Sequence, residues 1–191
     1  MIIGLDHMGV YADPEPRKFI EAQALFPKLN VQSPCDVLRG RLLPRIGKEQ
    51  YDRIAANIGR TAMLLYPLHP DAALVTQRWH EAGDRPTVVT TTTVLSHDDL
   101  LRYFCERAVS VTAIRIVPSD DLKIIECRAE KIAVFVDDNQ SVLQQLRPLG
   151  IPLIWANFYA DDTAVDPDFI EVRSWLELEA AVARVREPRK A

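Results

Sequence analysis

Met1-Ile2-Ile3-Gly4-Leu5-Asp6-His7-Met8-Gly9-Val10 opens the chain with a short apolar run that stops at an aspartate. A run of this length, bounded by a polar residue, reads as a strand buried on both faces, as strands of parallel sheets are. Gly9 would let the chain turn sharply beneath the carboxylate. Runs of the same texture recur downstream. Thr87-Val88-Val89-Thr90 is β-branched throughout and follows Pro86, and Val111–Val117 alternates. Ile132–Val136, Ile151–Trp155 and Phe169–Val172 complete the strand set.

Between these runs the period changes to that of a helix. Asp71 is placed to cap a helix carrying Leu74, Val75, Arg78 and Trp79 on one side, with Gly83 just past its end. Ser96-x-x-Asp99 has capping-box spacing and leads into Leu100, Leu101, Phe104 and Ala108. Val142, Leu143, Leu146 and Leu149 mark a helix ending near Gly150, and Ser174-x-x-Glu177 opens a last one with Leu178, Ala181, Val182 and Val185 inward. Strands alternating with helices require right-handed crossovers. The fold class is therefore α/β, a Rossmann-like three-layer architecture with a parallel sheet between helices.

The stretch from Asp13 to Leu68 breaks this alternation. Pro14, Pro16, Pro27, Pro34, Pro44 and Pro67 divide it into pieces, and in one of them Tyr51, Ile54, Ala55 and Ile58 fall on one helical face. The reading is a small helical cap at residues 14–68, inserted into a core domain formed by residues 1–13 and 69–191.

Composition narrows the function classes. Hydrophobic residues make up 48% and charged residues 26% of the 191, ordinary values for a globular protein. The formal net charge of −4 disfavours nucleic acid as a partner. Cys35, Cys105 and Cys127 form no C-x-x-C pair and read as free thiols in a reducing compartment. The first ten residues read as a strand and not as a signal peptide. No window reaches the roughly 18 apolar residues of a membrane span, so no membrane role and a cytoplasmic location are expected. His69, His80 and His97 have no zinc-site spacing, and neither a phosphate-loop nor a dinucleotide fingerprint is present. Arg184, Arg186, Arg189 and Lys190 read as a solvated helix end favoured by the dipole.

Ligands of open parallel sheets bind at the carboxyl ends of the strands. There the sequence puts Asp6, Thr90, the region before Lys123, the pair Asp137-Asp138, and Asn157. Each has a bland reading alone: Asp6 as a turn residue, Asp137-Asp138-Asn139 as a helix cap, the threonines as β-propensity, Lys123 as a solvated lysine. In order, however, Leu5-Asp6-x-x-Gly9-Val10, Val88-Val89-Thr90, Lys123 and Phe135-Val136-Asp137-Asp138 resemble the four motifs of the haloacid dehalogenase (HAD-like) superfamily. Ile3-Gly4-Leu5-Asp6, Gly9-Val10-Tyr11-Ala12-Asp13, Gly150-Ile151-Pro152 and Arg173-Ser174-Trp175-Leu176-Glu177 resemble its 5′(3′)-deoxyribonucleotidase-like branch.

The resemblance implies Asp6 as a nucleophile that forms an aspartyl-phosphate. It implies Mg²⁺ held by Asp6, the Met8 carbonyl and Asp137, with Asp138 a further ligand or partner. Thr90, with Thr91 beside it, would bind a phosphate oxygen, and Lys123 would neutralise charge on Asp6 and the phosphoryl group. Lys131 competes for that role but precedes its strand and so sits at the opposite end. The departure is Met8, where such phosphatases carry a second aspartate as general acid and base. A thioether transfers no proton. His7 is no substitute, because alternation points it away from Asp6. The expected function is a HAD-like hydrolase: a Mg²⁺-dependent phosphohydrolase or slow phosphotransferase on a small phosphorylated metabolite such as a nucleotide monophosphate. Alternatives are a catalytically impaired pseudoenzyme that binds a phosphorylated ligand or protein partner, and a dehalogenase- or phosphonatase-type hydrolase.

Overall fold

The central strand β1 (Ile2–Leu5) lies between β2 (Arg85–Thr91) and β4 (Val134–Asp137) in a computed structural model that describes residues 1–58, 60–160 and 164–186. The other strands are β3 (Ala113–Val117), β5 (Leu153–Ala156) and β6 (Ile170–Val172). Their order is β3-β2-β1-β4-β5-β6, and every neighbouring pair is parallel. Leu5 is level with Val88 on one side and Val136 on the other, so Asp6 and Asp137 emerge from adjacent strand tips. Each strand run expected from the sequence lies within two residues of an observed strand.

Period-two alternation sorts the strand side chains into two apolar layers. Ile3, Leu5, Val88, Val136 and Ile154 face Trp79, Phe104 and Leu178, which come from α5 (Ala72–Glu81), α6 (His97–Glu106) and α9 (Trp175–Arg186). Val89, Phe135, Leu153 and Trp155 face Cys127 of α7 (Lys123–Ala129) with Leu143 and Leu146 of α8 (Gln140–Leu146). A Cβ at Gly4 would stand 2.5 Å from the Phe135 ring, so only glycine lets that ring lie across β1. The result is a six-stranded parallel sheet with helices on both sides.

Capping signals have mixed outcomes. Ser96 and Asp99 make the reciprocal bonds of a capping box, with Asp99 N–H to Ser96 Oγ at 3.2 Å and Ser96 N–H to Asp99 Oδ2 at 2.9 Å. Asp71 holds the N-cap position of α5 but makes no capping bond there. Its φ of +66° puts it in the left-handed region and not in the extended geometry a capping side chain uses. At the C-terminus Arg186 pairs with Asp84, while Arg189 and Lys190 lie outside the described residues.

Residues 14–68 carry α1 (Glu15–Leu25), α2 (Arg39–Ile46), α3 (Lys48–Asn57) and α4 (Arg60–Leu64). Ile54 and Ile58 are buried, and Val37 and Leu42 join the apolar cluster that contains β1. Tyr51 is half-buried, and the Ala55 side chain lies outside those described. The two ends of this segment are stitched together by backbone bonds: Asp13 N–H donates to Pro67 O and His69 N–H to Tyr11 O, both 2.9 Å. Among the described residues no helix is long and apolar enough to cross a membrane. Cys35, Cys105 and Cys127 are free.

Candidate active site

Asp6 continues β1 by one residue. Its N–H donates to Val136 O at 3.0 Å, which holds the backbone in register while the carboxyl leaves the sheet at its carboxyl edge. Asp137 ends β4 and Asp138 follows it. One carboxyl oxygen from each of Asp6, Asp137 and Asp138 lies within 4.8 Å of the others. Among the described residues this is the one group of three or more His, Cys, Asp or Glu side chains so arranged. Gly9 makes the close approach possible: at φ +79°, a Cβ there would sit 2.3 Å from the Asp138 carboxyl.

Lys123 begins α7 with its side chain almost wholly buried, and its Nζ lies 3.0 Å from Asp6 Oδ1 and 2.9 Å from Asp137 Oδ2. Burial alone would lower the ammonium pKa. The two carboxylates outweigh it and hold the group above its ordinary value, so Lys123 stays charged. Asp137 is raised too, which for a carboxyl favours the neutral form. Burial, reinforced by Asp6, raises its carboxyl despite Lys123 and the Asn139 N–H that donates to Oδ1 at 2.9 Å. Asp138, the exposed member of the trio, is also raised, by desolvation and then by Asp137 and Asp6. Three carboxyls facing one ammonium leave negative charge that a divalent cation would neutralise. An all-oxygen donor set suits a hard ion such as Mg²⁺.

These groups line a cleft of about 580 Å³. Of the residues singled out from sequence, Asp6, Met8, Thr91, Lys123, Asp137, Asp138 and Asn157 line it. Thr90 is buried and is not among the lining residues. Adjacent strand residues face opposite sides, and Thr91 is the one whose hydroxyl reaches the cleft, donating to Asp120 Oδ1 at 2.7 Å. Asp120 lies 3.6 Å from Lys123 Nζ and was not anticipated, although it sits one turn before Lys123 in sequence.

Other contributors were illegible in sequence because they come from irregular segments. Residues 14–68 supply Glu15, Lys18, Leu38, Leu43, Pro44 and Tyr51; the loop after β5 supplies Phe158 and Tyr159; His69 joins them. Lys18 Nζ is 2.7 Å from Glu15 Oε1. Tyr159 donates to the Asp13 carboxylate at 2.7 Å, and the His69 ring meets Phe158 edge-on at 4.7 Å. Trp155 donates through Nε1 to Asp138 O at 2.9 Å.

His7 points away from the cleft. Its ring packs edge-on against Tyr103 at 5.0 Å and Phe104 at 5.7 Å, and neither ring nitrogen has a partner. Burial, only partly offset by Asp6, lowers its pKa to about 4. The unfolded chain, near 6.5, therefore takes up a proton between those values that the folded chain refuses. The His7 contribution is intact above pH 6.5 and is lost as pH falls toward 4, reaching about 2 kcal/mol at pH 5. Replacing His7 with Met is expected to remove that part of the acid sensitivity, read by urea unfolding at pH 7.5 and 5. An unchanged difference between the two pH values would show that His7 is not its source.

No protein-family model matches the chain, and no curated protein matches it in sequence. Its structure is similar to several solved ones. A HAD-superfamily hydrolase from Ehrlichia chaffeensis aligns at TM-score 0.59 and 12% identity, covering 97% of each chain. A predicted phosphoglycolate phosphatase from Haemophilus somnus aligns at TM-score 0.62 and 15% identity, over 95% of this chain and 97% of that one. A D,D-heptose 1,7-bisphosphate phosphatase from B. bronchiseptica, complexed with magnesium and phosphate, aligns at TM-score 0.55 and 11% identity, over 96% and 98%. The chain has the fold of HAD-superfamily hydrolases.

Proposed function

We propose that this protein is a Mg²⁺-dependent phosphohydrolase of the HAD type that acts on a small phosphorylated metabolite through an aspartyl-phosphate on Asp6. The observation that carries the reading is the carboxyl trio of Asp6, Asp137 and Asp138 with the Lys123 ammonium bonded to two of its members. Residues 14–68 act as the cap on a core of 1–13 and 69–191. A nucleoside monophosphate, as the nucleotidase-like motifs suggest, falls within the substrate class.

In this reading an Asp6 oxygen attacks phosphorus as the bond to the leaving oxygen breaks. Lys123 bonds the Asp6 carboxyl and offsets charge on the phosphoryl oxygens, and the Thr91 hydroxyl is positioned to bind one of them. Water then attacks the same phosphorus, releasing phosphate and restoring the Asp6 carboxylate. Asp6, Asp137, Asp138 and the Met8 carbonyl would hold Mg²⁺, which supplies Lewis-acid polarisation and charge neutralisation. The carboxyl trio argues against a metal-free dehalogenase.

Acetyl phosphate tests the site directly, because its leaving group needs no protonation. Mg²⁺-stimulated phosphate release is expected, falling at least about a hundredfold with excess EDTA and returning on Mg²⁺ addition. Release indifferent to EDTA would overturn the reading. Met8 favours one second reading, a pseudoenzyme that binds phosphorylated ligands without turnover; calorimetric binding of phosphate with no acetyl phosphate hydrolysis would select it.

A further inference from the structure

Met8 lines the cleft beside Asp6 and carries no transferable proton. Other protonatable groups line the cleft, and none of them occupies the position that Met8 holds. The Tyr159 hydroxyl donates to Asp13. One Glu15 oxygen accepts from Lys18, and the other is buried without a partner. His69 Nε2 is buried and unpartnered, and burial lowers that imidazole's pKa despite nearby Asp13. The cleft lining also includes the apolar or aromatic side chains of Leu38, Leu43, Pro44, Tyr51 and Phe158. From these two features, and resting on the phosphohydrolase reading, we infer that the substrate is a phosphate monoester of an acidic hydroxyl on an sp² carbon: an aryl phosphate with an apolar body.

The chemistry follows from the missing proton. Asp6 forms an O–P bond, the P–O(aryl) bond breaks, and the electron pair leaves on oxygen as an aryloxide. Water then attacks phosphorus, and the acyl phosphate yields the Asp6 carboxylate and dihydrogen phosphate; the aryloxide takes its proton from bulk water. A phenol with a pKa of about 10 can depart in this way, whereas an aliphatic alkoxide, with a conjugate-acid pKa near the 15.7 of water, is a far poorer anion. The apolar and aromatic part of the lining gives the ring a surface to pack against, and such contact suits a flat uncharged body.

The test measures kcat/KM of the wild-type protein with Mg²⁺ on acetyl phosphate, para-substituted phenyl phosphates, 1-naphthyl phosphate, glycerol 3-phosphate and a nucleoside 5′-monophosphate. Acetyl phosphate reports on the site itself, and no turnover there would defeat the proposed function and this inference with it. With acetyl phosphate active, kcat/KM is expected to fall steeply as the phenol pKa rises, and both alkyl esters to run at least about a hundredfold below phenyl phosphate. 1-Naphthyl phosphate is expected to exceed phenyl phosphate, and Leu43→Glu to lower the 1-naphthyl rate at least tenfold relative to acetyl phosphate. A flat dependence on phenol pKa, or an alkyl ester within tenfold of phenyl phosphate, overturns the inference while leaving the phosphohydrolase reading intact.

Discussion

Asp6→Asn is expected to cut phosphate release from acetyl phosphate by roughly 10⁴-fold or more, the scale of nucleophile removal in other covalent hydrolases. Asparagine keeps the shape of the side chain and the main-chain bond to Val136 but offers phosphorus only a neutral amide. Its effect on folding is small by comparison. Lys123 retains Asp137 at 2.9 Å, so the buried ammonium is not stranded. Unfolding by urea should therefore move little while turnover disappears, and that split separates a chemical role from a structural one. Undiminished release by Asp6→Asn would remove Asp6 as the nucleophile.

Met8→Asp is expected to act in the opposite direction. It restores a carboxyl able to protonate a leaving oxygen and later activate water, help worth about 10²- to 10⁴-fold. The gain should be greatest for alkyl esters, whose leaving groups most need a proton, and least for acetyl phosphate. Position 8 is among the residues that line the cleft, so the new carboxyl would stand near the site. Rates on glycerol 3-phosphate measured for both proteins decide the matter. No gain on any substrate, with Mg²⁺ binding intact, would mean that another group already delivers the proton.

The strands and the polar tips they carry were readable because periodicity and punctuation both act locally. Leu5-Asp6 and Val136-Asp137-Asp138 each combine a buried apolar run with a carboxylate at its end, and parallel pairing through β1 makes those ends neighbours. Lys123 was readable only through motif order, since nothing local distinguishes a lysine at a helix start from a solvated one. Thr90 and Thr91 illustrate the limit of such reading. A one-residue difference decides which hydroxyl meets the cleft, and a threonine run gives no cue to that phase. The part of the cleft lining that residues 14–68 supply was unreadable for another reason. Leu43 and Pro44 come from α2, Tyr51 from α3 and Leu38 from the turn before α2, and the packing of these pieces depends on turns with no fixed period.

The paired backbone bonds joining Asp13 to Pro67 and Tyr11 to His69 close the inserted helices with a two-runged clasp. Because Val37, Leu42, Ile54 and Ile58 also share the buried cluster of Ile3 and Leu5, whatever replaces this insert must refill the packing beneath the strand that carries Asp6.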